Sequence, residues 1–496
     1  MNIAKHLERS AFFFPSRPAV VEEGSEVSYR ELNARAGRIA LALLARGVQL
    51  GDFVGLCAPK SADWLAFYFG VLKVGAVAVT LSSLLKEEEL SLLVRHARPR
   101  FLYSTPEKLA ALQELKAAGA LQGIICPGGD GDAHDWLAQT DGAFRARERN
   151  RSDTAAILFT GGTTGLPKGV ELSHENITVS SHNVSYSERS SETDRALCFL
   201  PFNHVFGQIH IMNATVFSGG CLELLPAFDL DRVLGILATG RITKFFAVPT
   251  VYLRLLTLDR LSERLAGVRY FFSAAASLAA EVVREWQERT GRPIHEGYGL
   301  TESASAVTYN HYLRHRIGSV GETVPGVEVE IRDLEGRPVE SGREGEICIR
   351  GRNIMNGYLK NPEATEAVFW KDGWFRSGDL GFFDPDGYLY IVDRLKDLII
   401  TGGENVYPRE VEEVLYSRTE IQECAVIGLP DPEWGERVAA FIVLKPGLSQ
   451  VPQDLKAFLK VRLASFKVPK EFIVVRELPK SSAGKILKRT LRMTDS

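Results

Sequence analysis

Cysteine is sparse in this chain and never clustered. Cys57, Cys126, Cys198, Cys221, Cys348 and Cys424 lie far apart, and no Cys-x-x-Cys or Cys/His metal spacing occurs. That argues against a disulfide framework or a zinc site and fits reduced thiols in a cytoplasmic protein. An excess of one charge is also missing. Lys and Arg number 59 against 62 Asp and Glu, a net of −3, so there is no electrostatic footprint for a nucleic acid. Phe12-Phe13-Phe14 is stopped at once by Pro15, too short for a signal peptide. The apolar stretch 64–85 is interrupted by Lys73 and punctuated by Gly70 and Gly75. It reads as a buried helix running into a core strand, not as a membrane span. Internal repeats and long low-complexity linkers are absent.

What remains is a chain of 496 residues, 45% hydrophobic and 24% charged, enough for about three folding units at roughly 150 residues each. Apolar strand runs at 53–57, 76–80, 155–159, 244–248 and 270–273 alternate with amphipathic helical stretches such as 29–44 and 280–290. This alternation predicts an α/β fold with parallel sheets covered by helices. After Gly326 the pattern changes to short strands at 327–331, 345–350 and 387–392, separated by turn signals, which predicts a small antiparallel β unit over about 327–395. A compact α+β segment follows from Lys396, with helices near 408–416 and 453–463. The expected division is a large domain 1–395 and a small mobile domain 396–496.

One loop carries the first functional signal. Phe159-Thr160-Gly161-Gly162-Thr163-Thr164-Gly165-Leu166-Pro167-Lys168-Gly169 combines glycines, three threonines and a lysine between two extended segments. Glycines let backbone N–H groups turn towards an anion, and the hydroxyls and lysine add donors. Such a loop suits polyphosphate. It is not the G-x-x-x-x-G-K-[ST] loop, because Gly169 follows Lys168.

With Tyr298-Gly299-Leu300-Thr301-Glu302, Ser377-Gly378-Asp379, Asp393-Arg394-Leu395-Lys396-Asp397 and Pro479-Lys480-Ser481-Ser482-Ala483-Gly484-Lys485, this loop resembles, in order and spacing, the motif set of the adenylate-forming enzymes, which include acyl-CoA synthetases. The resemblance covers nearly the whole chain. It implies an ATP-dependent carboxylic acid–CoA ligase that forms acyl-AMP and pyrophosphate and then transfers the acyl group to CoA, the acid being a medium- or long-chain fatty acid or an aryl acid. Thr160 to Lys168 would grip the β- and γ-phosphates. Glu302 would hold Mg²⁺, which needs only one or two carboxylates beside phosphate and water. Tyr298 with Gly299 would sit by the adenine, Thr301 by the α-phosphate, and Asp379 with Arg394 by the ribose. Lys485 would be the catalytic cation, neutralising carboxylate and α-phosphate as they approach.

The same resemblance makes His204 a gate at the acyl site, with a satisfied core histidine as the alternative. It lines the acyl pocket with Val205, Phe206, Gly207, Phe246, Val248, Ala274, Ala275, Ala276 and Gly297. Ser273-Ala274-Ala275-Ala276-Ser277 departs from the family's Gly-Ala-Pro-Leu-like turn, which leaves the acid open. Lys396 would be the hinge. Gly402 and Gly403 would let a pantetheine arm pass, and Trp434 and Phe466 would either hold the CoA adenine or pack inside the small domain. Rival readings are an amide-forming relative, a ligase loading an acyl carrier protein, and a nucleotide sensor without catalysis. Peripheral membrane contact and a monomer or homodimer stay open.

Overall fold

Helix Ala62–Lys73 shows how local chemistry builds the core. Ser61 caps it by accepting from the Trp64 N–H at 3.0 Å, and nearly every residue on it is buried. Its all-round apolarity suits a helix packed on every side. Gly70 is where helix Tyr29–Ala45 crosses, since a Cβ there would lie 2.7 Å from Ile39. Lys73, the residue that interrupts the apolar run, is fully buried and paired to Glu8. The computed structural model describes residues 1–127, 144–160, 167–481 and 484–493. Among them no helix is long and apolar enough to cross a membrane, and the six cysteines are buried.

Three sheets build the larger part of the molecule. In a seven-stranded sheet, Phe53–Cys57, Val77–Thr80, Phe101–Ser104, Gly123–Ile125 and Thr154–Thr160 run parallel. Strand Lys168–Ser173 returns antiparallel beside Thr154–Thr160, setting Thr160 opposite Lys168. In a nine-stranded sheet the strands Pro18–Glu22, Cys221–Leu224, Arg195–Cys198, Lys244–Ala247, Tyr270–Ser273 and Ile294–Tyr298 are parallel, with antiparallel strands at its edges. The third sheet, Val327–Arg332, Gly345–Gly351, Phe375–Phe383 and Leu389–Arg394, is wholly antiparallel. A small C-terminal α+β domain follows, with a five-stranded sheet whose longest strands are Ile421–Asp431 and Gly435–Leu444.

The strand expected at 387–392 is Leu389–Arg394, displaced because Asp384 to Gly387 form the turn. Ser377-Gly378-Asp379, whose residues are ordinary turn formers, lies inside strand Phe375–Phe383. Gly378 bends that strand at φ +72, so Asp379 can leave the regular pleat.

Candidate active site

Several of the predicted residues converge where parallel strands end. Strands Arg195–Cys198, Lys244–Ala247, Tyr270–Ser273 and Ile294–Tyr298 lead at their carboxyl ends into His204, Val248, Ala274 and Gly299. Crevices outside the carboxyl ends of open α/β sheets are where such folds bind ligands.

Asp379 is nearly fully buried and anchors one side. Tyr298 donates its hydroxyl to Oδ2 at 2.7 Å, and Arg394 Nε lies 3.1 Å from Oδ1. Burial, reinforced by the Asp379 charge, pushes the Tyr298 hydroxyl well above its ordinary range, so it stays protonated and donates. A carboxylate offers about four lone-pair sites, so two remain for a pair of vicinal hydroxyls.

Beside it, Glu302 Oε1 accepts from the Tyr358 hydroxyl at 2.9 Å. The Lys168 ammonium stands over the same Tyr358 ring, 4.7 Å from its centre. Tyr358, which no motif singled out, thereby joins strand Lys168–Ser173 to Glu302 through strand Gly357–Tyr358, which pairs with it. Glu302 has a second carboxylate oxygen beside this bond, and among the described residues no group of three His, Cys, Asp or Glu offers a metal cage. That donor set fits Mg²⁺ held chiefly by phosphate and water. Thr301 stands half-buried in the turn before Glu302, its carbonyl accepting from Ala304 N–H. Thr160 Oγ1 reaches the Lys168 carbonyl at 3.4 Å. Gly161, Gly162, Thr163 and Thr164 lie outside the described residues.

Lys485 comes from the C-terminal domain. A tight turn from Ser481, with Gly484 at φ +81, carries it. A Cβ on Gly484 would lie 2.8 Å from Val248, so this turn docks directly on the larger domain. The Lys485 ammonium is drawn down to about 7, first by burial and then by Arg394 and Lys396, against the opposing pull of Asp379 and Asp397. It also acts on His204, whose imidazole burial and Lys485 together lower to about 4, leaving that ring neutral. Lys485 is thus electrostatically coupled both to the Asp379–Arg394 pair and to His204.

The residues expected to line the acyl pocket surround a cavity of about 40 Å³. His204, Val205, Phe206, Ala274, Ala275 and Gly297 line it, as do His210, Phe272, Ser305 and Tyr309, which sequence patterns did not mark. Gly207 opens a π-helical turn, Phe206–Asn213, and is glycine because a Cβ there would meet the Pro201 carbonyl at 2.2 Å. Phe246 packs against His210 behind the wall. Ala276 is exposed beyond it. Ala275 occupies the left-handed region at φ +71, an uncommon place for a residue with a Cβ. Val248 instead lines a wider cleft of about 650 Å³ between the two domains, where Lys60, Arg254, Arg476 and Lys480 also gather.

Lys396 lies in the one-turn 3₁₀ segment Leu395–Asp397, between strand Leu389–Arg394 of the antiparallel sheet and strand Ile399–Thr401 of the C-terminal sheet. Gly402 N–H donates to the Trp434 carbonyl at 2.8 Å. A Cβ on Gly402 would lie 2.5 Å from the Trp434 ring, while Gly403 has open space beside it. Lys470 stands over the outer part of Trp434, 4.4 Å from a ring centre. Trp434 and Phe466 are both exposed, and among the described residues no ring contact joins them.

The AMP-binding enzyme family profile matches residues 7–359, and that of the AMP-binding enzyme C-terminal domain matches 410–485. The chain is 37% identical over 487 residues to a feruloyl-CoA synthase of an Amycolatopsis species, covering 98% of this chain and 97% of that one. ATP-bound MatB from Rhodopseudomonas palustris superposes with a TM-score of 0.93 at 37% identity, covering 100% of this chain and 99% of that chain. The anthranilate CoA ligase AuaEII in complex with anthranoyl-AMP gives a TM-score of 0.94 at 30% identity, covering 100% of this chain and 97% of that chain.

Proposed function

The chain belongs to the AMP-binding enzyme family, and from that premise we propose that it is an ATP-dependent carboxylic acid–CoA ligase. The observation that supports this reading is the coupling of the buried Lys485 both to the Asp379–Arg394 pair and to His204, with the turn at Gly484 packed on Val248. A carboxylate oxygen attacks the α-phosphorus of ATP, and the bond to pyrophosphate breaks. Lys485 neutralises the two anions as they close, when their repulsion is greatest. Asp379 takes the ribose hydroxyls while Tyr298 and Arg394 fix its orientation. Lys168 and Thr160 with the adjoining loop hold the β- and γ-phosphates. Glu302 would hold Mg²⁺, which when bound would supply neutralising charge for those phosphates. Neutral His204 covers the acid without placing a second charge beside it.

In the second half-reaction the CoA thiol attacks the acyl carbon, and AMP leaves. Domain 396–496 turns about Lys396, withdrawing Lys485 and presenting Gly402 and Gly403 to the pantetheine arm. The acid is an aryl or fatty acid, the setting cytoplasmic. Incubating the protein with ATP, Mg²⁺, CoA and an acid panel tests this. The expected products are AMP, pyrophosphate and a thioester, and formation of an amide with added amines but no thioester would favour the amide-forming alternative.

A further inference from the structure

Phe12-Phe13-Phe14, too short for a signal peptide, serves no step above. It ends helix Ala4–Phe13, whose inner face buries Ala4, Leu7 and Ser10. Phe12 and Phe13 point the other way, 77% and 63% exposed, with their rings edge to face at 5.1 Å. Single exposed apolar residues are ordinary, whereas a contiguous patch marks an interaction site. This patch is contiguous. Phe14 packs against Gly219, where a Cβ would lie 2.6 Å from its ring. One helical turn before Phe12 and Phe13, the Arg9 guanidinium lies over the Phe217 ring, 4.4 Å from its centre. His182 meets Phe217 edge on at 6.1 Å and stacks with the exposed Tyr186 at 6.4 Å.

Charge decides what this corner can meet. Arg17 N–H donates to the Phe14 carbonyl and Arg30 N–H to the Pro15 carbonyl, each at 3.1 Å, so both residues flank the phenylalanines. The side chains of Arg9, Arg17 and Arg30 are exposed, and among the described residues none of them is paired with a carboxylate. Glu8 is taken by Lys73 and Glu31 by Arg35. Against the three arginines stands Glu192, half-buried beside Gly219. A second copy of the chain fits this corner poorly, since a two-fold contact would set the arginines against themselves. An anionic lipid surface fits it well. Guanidinium groups match phosphate, and phenylalanines settle at the boundary between headgroups and acyl chains. The place in the fold agrees. Arg17 precedes strand Pro18–Glu22, and Gly219 lies two residues before strand Cys221–Leu224. The corner therefore sits at the amino ends of the parallel strands, opposite the catalytic crevice, and docking there leaves the crevice uncovered.

We propose that this corner docks the protein on an anionic phospholipid bilayer, with Phe12 and Phe13 entering the interface and Arg9, Arg17 and Arg30 contacting lipid phosphate. The inference does not depend on the ligase reading. The test is co-sedimentation of the full chain with vesicles of phosphatidylcholine alone and with vesicles that also contain phosphatidylglycerol. Binding to the anionic vesicles should be stronger by about tenfold or more at low salt, and should fall steeply at about 1 M salt, where charges are screened beyond ~3 Å. Phe12→Ser with Phe13→Ser should weaken it by about tenfold or more through lost apolar burial. Arg17→Gln with Arg30→Gln should weaken it by about tenfold or more and remove most of the preference for phosphatidylglycerol. Both pairs should keep the Tm of wild type, because the replaced side chains are exposed. Binding to neither vesicle, equal binding to both, or binding unchanged in either pair overturns the inference. A dimer that the phenylalanine pair of substitutions dissociates, without vesicle binding, overturns it in favour of a second copy. If Phe12→Ser with Phe13→Ser does not fold, unchanged binding in Arg17→Gln with Arg30→Gln overturns it.

Discussion

Tyr298 and Asp379, 81 positions apart, are joined by a 2.7 Å hydrogen bond from hydroxyl to carboxylate. The bond ties the end of a parallel strand to the antiparallel sheet and fixes which lone pairs of Asp379 face the open site. Tyr298→Phe removes one donor while leaving Arg394 in place. The expected result is a rise in the KM for ATP of about three- to tenfold, a net hydrogen bond of ~1 kcal/mol, with little change in kcat. Asp379→Ala should raise it at least ~100-fold. An unaltered KM for ATP in Asp379→Ala would remove this residue from the nucleotide site.

Lys485 gives the pH dependence its sign. Its proton leaves near pH 7 in the free enzyme because burial and Arg394 disfavour the charge. Adenylation needs the ammonium, so kcat/KM should fall as pH rises through about 7 to 8, the limb reporting the free enzyme. Lys485→Arg keeps the charge at every accessible pH and should flatten that limb, at lower rate. Lys485→Ala should lose about a thousandfold or more in adenylation while binding ATP. A limb that persists unmoved in Lys485→Arg belongs to another group.

The thioester half-reaction is expected to be separable at Gly402. A methyl there would strike the Trp434 ring at 2.5 Å, at a φ of +59 that glycine tolerates best. Gly402→Ala should therefore depress thioester formation by about tenfold or more and leave pyrophosphate exchange near the wild-type rate. Equal loss in both would mean that this glycine supports the fold and not the second step.

Glu296, two residues before Tyr298, is buried, and its carboxyl is raised to about 8 by burial, which outweighs Arg409. Its folded value lies above the ordinary 4.5. The stability it contributes is therefore complete below pH 4.5 and is lost as pH rises through about 8, at ~1.4 kcal/mol per unit of difference. Glu296→Gln imitates the protonated acid without that dependence. Its Tm should exceed that of wild type at pH 8 by several degrees, with the gap closing towards pH 5. A gap that is the same at both pH values contradicts the assignment.

Much of this site is legible in the sequence because its chemistry sits in contiguous motifs. Thr160 and Lys168 flank one loop, Glu302 follows Tyr298 by four residues, and Lys485 closes a short basic turn. The strands were readable for a related reason, since parallel strands buried on both faces are short unbroken apolar runs. What could not be read lies in long-range pairings. Tyr358 reaches Glu302 only because strand Gly357–Tyr358 pairs with the phosphate hairpin. Glu188, His210, Lys244 and Tyr309 meet from four separate elements, and each alone looks like an ordinary polar residue. Strand Phe375–Phe383 is hidden by its own Ser-Gly-Asp, since residues that favour turns here serve a bulge. Trp434, which the family resemblance sets at the CoA adenine or inside the small domain, is exposed, and its contact with Gly402 is one that only the fold reveals.

The most direct measurement is ATP–pyrophosphate exchange by the purified protein with Mg²⁺ and a carboxylic acid but no CoA. The account predicts exchange that requires the acid, proceeds without CoA and is lost in Lys485→Ala. Addition of CoA should then release AMP and thioester in equal amounts. Exchange independent of acid, or cleavage of ATP to ADP and phosphate, would contradict it.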